Sequence, residues 1–235
     1  MAPDVRDRLP CAEAQKDRLR DKPYSSAMDN IGSRRWAGVA GIVFALSLVS
    51  GFILLDLPGH DDNEQLVADF YASGAGQARV AAANYLIGVA ALAFVGFVVL
   101  LSHSVDGRFS SASLFALGAA VLLSAGAATQ GPTYALSIQA FDEPLATITR
   151  FQVHQAYGMI LHGYLFAGVA VVLLCRLGSI PRGLTIVGYV VGALCAATIL
   201  FFPLFLLPAW VFATGIALVV WPARGRSTLS EGVTP

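Results

Sequence analysis

The distribution of charged residues constrains this chain more than any other feature. Five segments contain no Asp, Glu, Lys or Arg: residues 36–55, 80–105, 109–141, 151–175 and 183–223. Each is at least as long as the ~20 residues that an α-helix needs to cross ~30 Å of hydrocarbon. With 56% hydrophobic and 13% charged residues, the composition is also unlike that of ordinary soluble domains. The sequence therefore predicts an all-α integral membrane protein.

The last apolar segment is long enough for two crossings and contains Pro203 and Pro208. Because proline lacks the backbone donor that a continuous helix requires, we expect a hairpin of two spans here. The alternative is a five-span protein, in which this segment makes one crossing and a re-entrant piece. The six predicted transmembrane helices cover residues 36–56, 80–103, 112–136, 154–175, 183–201 and 204–222.

The positions of the basic residues predict the orientation, because Lys and Arg in short loops are retained on the cytoplasmic side. The six-span arrangement leaves only Arg79 and Arg150 outside. An odd number of spans would instead move Arg224 and Arg226 to the outer face. Both termini are therefore predicted to be cytoplasmic, and the predicted location is a bacterial inner (cell) membrane.

Three regions follow from this arrangement. Residues 1–33 mix acidic and basic side chains with few large apolar ones, which predicts a disordered cytoplasmic tail. Residues 34–223 form the six-helix transmembrane domain, and residues 224–235 form a short cytoplasmic tail. Met28 lies just before the first apolar segment, so either Met1 or Met28 is the expected start.

The fourth span carries an unusual polar stripe in "QVHQAYGMILHGYLFAG", residues 152–168. Gln155 and His162 lie within about 20° of each other around a helix, with Met159 between them. Polar side chains within spans tend to face the bundle, so we expect this stripe to point inward and line a ligand or proton site. The alternative is that it only forms hydrogen bonds between helices. The candidate cavity residues are His162, Gln155, Met159, Asn84, Gln130 and Tyr134.

Two further patterns accompany this stripe. Tyr157 and Tyr164 lie on nearly the opposite side of the same helix. Gly158, Gly163 and Gly168 are predicted to permit close approach of neighbouring helices, because glycine carries no side chain.

The sequence predicts no catalytic residue, no metal and no cofactor. A bis-histidine haem site needs two imidazoles at the same depth in the membrane. In the six-span arrangement, His103 lies at the cytoplasmic end of the second span and His154 at the outer end of the fourth. His60 and the acidic residues after it offer oxygen ligands for a divalent cation, but acidic residues in a first helical turn are also favoured by the helix dipole alone. The sequence contains no GxSxG, HExxH or P-loop motif, and its zero net charge gives no reason to expect nucleic acid as a partner.

Two segments resemble a group of multi-pass bacterial membrane proteins, common in actinobacteria and classed as domains of unknown function. The first is "EQLVADFYASGAGQARVAAANYLIGVAALAFVGFVVLL", with an acidic loop, an "FYA" helix and a span rich in small residues. The second is "HGYLFAGVAVVLLCRLGSIPRGLTIVGYVVG", with a Pro-Arg turn between two apolar helices. The resemblance implies a multi-pass membrane fold and carries no established activity.

For function, the sequence favours a protein that is not an enzyme. It is expected to bind a lipid or another apolar small molecule, or to scaffold a membrane complex, with membrane lipids, a membrane protein or further copies of the chain as partners. The alternative is a membrane oxidoreductase subunit or a small transporter that uses His162 as its titratable or ligand group.

Overall fold

All secondary structure in the described part of the chain is helical. The computed structural model describes residues 22–54, 66, 69–70, 72–106, 110–139, 143–178, 180–198 and 205–220, without the side chains of 22–31, 106, 130–139 and 143–154. These ranges contain six bounded helices and no strand. The helices are α1 (Lys22–Leu54), α2 (Gly74–Asp106), α3 (Ser111–Gln139), α4 (Glu143–Arg176), α5 (Arg182–Ala196) and α6 (Leu206–Val220).

Local sequence signals explain several helix ends. The Ser73 hydroxyl accepts a hydrogen bond from the Gly76 N–H at 3.0 Å, which is the usual N-cap arrangement for α2. After α4 ends, Gly178 adopts φ 69°, a left-handed conformation that glycine takes without steric cost. Pro181 then occupies the N-cap position of α5, with φ −53°.

The six helices form a closed ring. Each packs against the next helix in sequence, and α6 packs against α1. The contacts between α1 and α2 and between α3 and α4 are the most extensive, while a smaller contact between α2 and α4 crosses the ring. Sequence neighbours are therefore also neighbours in space.

Glycine contacts establish the direction of the helices. A Cβ atom at Gly38 of α1 would lie 2.7 Å from the carbonyl oxygen of Gly215 in α6, and one at Gly41 would meet Val211. Contacts that advance along α1 thus move backwards along α6, so these two helices are antiparallel.

A second glycine pair gives the same result for α4 and α5. A Cβ atom at Gly168 would lie 2.6 Å from the Gly192 carbonyl oxygen, whereas Gly188 packs against Cys175. Helix directions alternate around the ring, and the start of α1 and the end of α6 lie at the same end of the bundle.

Aromatic side chains fill the centre of the ring. The ring centroids of Phe44 and Phe94 are 5.0 Å apart, and Phe97 meets Trp210 edge-on at 6.5 Å. The Trp210 indole N–H donates to the Leu184 carbonyl oxygen at 2.8 Å. This bond satisfies the polar atom of a buried tryptophan and ties α6 to α5.

Within the described part of the chain, four helical segments are long and apolar enough to cross a membrane: Gly32–Leu54, Gly74–Val105, Ser111–Thr129 and Gln155–Arg176. Many of their outward side chains are large and apolar, including Leu46, Leu92 and Val121. Exposed apolar side chains in such number are suited to lipid rather than to water. These helices suggest a membrane protein.

The structure differs from the predicted boundaries in two places. The predicted disordered tail, residues 1–33, is too long, because α1 already begins at Lys22. Extending an existing helix gains one hydrogen bond per residue and avoids the cost of nucleation, so polar residues before a span are readily helical. The other difference is that α5 and α6 have 15 residues each, or ~22 Å, and are shorter than the predicted spans. Residues 199–204, between them, lie outside the described part.

Candidate functional site

An open groove of about 750 Å³ lies between α1 and α2. Its volume is within the range of ~300–1,000 Å³ that is typical of small-molecule sites. The lining residues are Gly32, Ser33, Trp36, Val39, Ala40, Val43, Ala93, Leu100 and His103.

The α1 wall of the groove follows from helical periodicity. Trp36, Val39 and Val43 recur at spacings of three and four, so they share one face of α1. Their exposed fractions are 66%, 41% and 39%. The α1 residues that line the groove extend from Gly32 to Val43, so the groove is ~15 Å long along the helix axis. Its side wall is apolar and open to the surroundings.

Only one end of the groove is polar. Ser33, inside α1, and His103, near the end of α2, line this end. The exposed Arg35 is not among the lining residues and lies about 100° from Trp36 around α1. The groove thus combines an apolar length with a hydrogen-bonding end formed by Ser33 and His103.

The predicted polar stripe on α4 does not line the groove between α1 and α2. Gln155 and His162 are both exposed on the outward surface of α4, so the prediction that they face the bundle interior is wrong. The inward face instead carries Tyr164, which is fully buried. Gly163 and Gly168 do pack closely against α3 and α5, which brings that face into the core.

A hydrogen bond within α4 explains how the His162 side chain is accommodated on the outer surface of the bundle. Its Nδ1 lies 2.6 Å from the Gly158 carbonyl oxygen on the preceding turn. Since a carbonyl only accepts, Nδ1 carries the hydrogen of this bond. Gly158 has open space around it rather than a neighbouring helix, contrary to the predicted close approach there.

Neither Met159 nor Asn84 lines the groove. Met159 is half-buried on α4. Asn84 is half-buried on α2, and its buried Oδ1 atom has no hydrogen-bond partner in the described structure. The side chains of Gln130 and Tyr134, and the whole of the His60 cluster, lie outside the described residues. Their roles in a ligand site stay predictions.

Serine residues near the groove form a cluster that was not identified from the sequence. Ser110, just before α3, donates to the Ser102 hydroxyl at 2.9 Å and lies 3.3 Å from the Ser113 hydroxyl. Ser102 and Ser113 are fully buried. The cluster closes the α2–α3 hairpin, and the recurrence of serine on both sides of one short turn is the only signal for it in the sequence.

Among the described side chains, no group of three or more His, Cys, Asp or Glu is arranged to hold a metal ion. Cys175 and Cys195 are buried and free. In this environment each serves as a small apolar side chain.

The described residues define the class of this protein: an all-α helical ring in which four helices are long and apolar enough to span a membrane. Comparison of the chain with protein-family models, with curated proteins and with solved structures found no match. The resemblance to multi-pass bacterial proteins stays a prediction.

Proposed function

We propose that the protein crosses a bacterial cell membrane six times and has both termini in the cytoplasm. Alternating helix directions support this proposal. Of the five arginines whose side chains are described, Arg34, Arg35, Arg176 and Arg182 lie at one end of the bundle. Basic residues are retained on the cytoplasmic side, which assigns that end. A reporter fused after Pro235 is expected to be cytoplasmic, and a periplasmic reporter would overturn the topology.

Within this topology, we propose that the groove between α1 and α2 binds one chain of a membrane lipid. The observation that carries the proposal is the shape and polarity of the groove: an open apolar wall ~15 Å long with a polar end. An amphiphile in a bilayer has the same arrangement, with its chain along the membrane normal and its headgroup at the surface.

The test is to fill the groove. Val39→Trp adds a large side chain to the wall, and we expect lipid retained by the purified wild-type protein to be lost from this variant. Val187→Trp is the matched control, since Val187 is 48% exposed on α5, away from the groove. Native mass spectrometry and lipid extraction measure retention. If Val39→Trp retains as much lipid as Val187→Trp, the proposal is wrong.

The scaffolding role is a second candidate, and the exposed Gln155 and His162 support it. Polar groups on a lipid-facing helix cost free energy that a partner helix recovers by hydrogen bonding. The Gln155 amide both donates and accepts, so a two-fold axis along the membrane normal would let it pair with Gln155 of a second copy. In a cysteine-free background, Gly158→Cys is expected to cross-link two chains in the membrane. A monomeric product under oxidising conditions would exclude this interface.

A further inference from the structure

The outward face of α4 has the residue spacing of a helix that pairs with a second helix. Residues on this face, called here the α4 seam, recur at alternating intervals of three and four: Gln155, Gly158, His162, Leu165 and Val169. This is the pattern of a parallel, left-handed helix pair, the hand that most membrane helices adopt. Gln155 and His162 are exposed and the other three are half-buried, whereas Tyr164 on the inward face is fully buried. The seam is therefore accessible to a partner helix.

Two positions of the α4 seam are self-complementary. A two-fold axis along the membrane normal places each residue of the seam opposite the same residue of a second copy, at the same depth. Gln155 suits such a position, because its amide both donates to and accepts from an identical amide. Gly158 suits it as well: no atom lies within 4 Å of where a Cβ atom would be, so the backbone of a second helix can approach closely.

His162 is self-complementary only when one proton is added. Its Nδ1 donates to the Gly158 carbonyl oxygen at 2.6 Å, so Nε2 carries no hydrogen in the neutral ring. Across the axis, Nε2 faces Nε2 of the second copy, and two acceptors form no hydrogen bond. One proton makes one ring a donor, which gives a charge-assisted N–H···N bond. A second proton makes both rings donors of like charge, and this bond is lost.

The helices packed against α4 present no charged group to His162 in the described part of the chain. α3 contains no Asp, Glu, Lys, Arg or His, and its one titratable residue, Tyr134, lies eight residues, or ~12 Å, beyond the contact of Gly126 with Ile160. α5 packs on another side of α4, through Gly168, so its Arg182, Tyr189 and Cys195 do not face the seam.

The remaining titratable groups also lie away from His162. α2 contacts α4 from inside the ring, opposite to the outward face. On α4 itself, Tyr157 lies about 140° away around the helix, and His154 is eight residues, or ~12 Å, before His162. The imidazole of the second copy is therefore the nearest group that can share the proton.

We propose that the α4 seam joins two copies of this chain in a proton-dependent dimer, in which the Nε2 atoms of the two His162 side chains share one proton. This inference rests on the α4 interface proposed above. An imidazole takes up a proton between roughly pH 5 and 8. Association therefore strengthens as the pH falls into this range, and weakens again once both rings are protonated.

Energy transfer between two labelled populations measures this dimer. In a cysteine-free background, Pro235→Cys carries either a donor or an acceptor dye, and the protein is reconstituted in phosphatidylcholine liposomes. EDTA is present on both sides, so that no metal ion bridges the imidazoles. We expect association to be about fivefold stronger at about pH 6 than at about pH 8, which is the effect of one hydrogen bond.

Two variants assign the pH dependence to the seam. His162→Gln is expected to dimerise equally at both pH values, because an amide pairs with its own copy without an added proton. His103→Gln is the matched control, since it removes an exposed histidine on α2, outside the seam, and should keep the pH dependence of the wild-type protein.

The outcomes separate the shared proton from the interface. Equal energy transfer at both pH values in the wild-type protein, or a pH dependence that survives in His162→Gln, would overturn the shared proton. If Gly158→Cys still cross-links two chains in either case, the α4 interface stands. If there is neither energy transfer at any pH nor a cross-link, both proposals fail.

Discussion

Arg79 caps the helix that precedes it across the loop. Its Nε donates to the Leu54 carbonyl oxygen at 3.1 Å, and its Nη2 donates to the Ile53 carbonyl oxygen at 3.4 Å. These are among the last carbonyls of α1, which have no partner within the helix. A cation here also interacts favourably with the negative end of the helix dipole. The bond explains why an arginine occurs at the end of the bundle opposite the other described arginines.

Removal of this cap should destabilise the protein. Arg79→Gln is expected to lower the free energy of unfolding by about 1–2 kcal/mol, because it deletes charged hydrogen bonds to partly buried carbonyls. Denaturant titration in detergent measures the change. Arg182→Gln, at an exposed position, should change it by less than ~0.5 kcal/mol. Equal effects of the two substitutions would contradict the capping role.

Close packing of α1 and α6 makes a specific prediction for glycine. Gly38→Ala should destabilise by about 1–3 kcal/mol, because the new Cβ atom would meet the backbone carbonyl of Gly215 at 2.7 Å. Gly158→Ala is the matched control. It has no neighbouring atom within 4 Å and should be neutral or stabilising by up to ~1 kcal/mol from helix propensity. Thermal unfolding of the two variants in one detergent compares them, and the opposite order would refute the register of α1 and α6.

The two tyrosines of α4 should respond differently to truncation. Tyr164 is fully buried and Tyr157 is 46% exposed. Tyr164→Ala should cost about 3–5 kcal/mol, comparable to other large aromatic deletions in cores. Tyr157→Ala removes fewer contacts and should cost clearly less. A larger loss at Tyr157 would show that the face of α4 assigned to the core is incorrect.

His162 tests the oxidoreductase and transporter alternatives. His162→Leu should leave the unfolding free energy within about 1 kcal/mol of wild type, since the side chain is exposed and its one described bond is local. We also expect no Soret band that depends on His162, and no pH-dependent uptake into liposomes that the substitution abolishes. Either signal would establish a ligand or proton role for this residue.

Much of the fold could be predicted from the sequence because backbone polar groups in lipid must be satisfied within the segment itself. Long charge-free segments can meet this demand only as helices, and each predicted span overlaps one of the six. Serine and proline signals at Ser73 and Pro181 likewise act on adjacent residues. These effects are local, and a linear pattern contains them.

Which side of each helix is buried could not be predicted in the same way. On α4, the stripe of Gln155 and His162 was predicted to face the interior, and the tyrosines lie on nearly the opposite side of the helix. Packing decided between them, since Gly163 and Gly168 place the Tyr164 face against α3 and α5. The intrahelical bond from His162 to Gly158 then lets the histidine face outward.

The sequence by itself determined where the helices lie along the chain, that they are apolar enough for a membrane, and which loops carry basic residues. Only the tertiary structure decided the closed ring, the inward faces, and the groove that joins Trp36 on α1 to His103 on α2. The physical reason is the separation along the sequence between the residues that interact. Helix formation depends on contacts a few residues apart, whereas a groove exists only when two distant segments pack with a defined register.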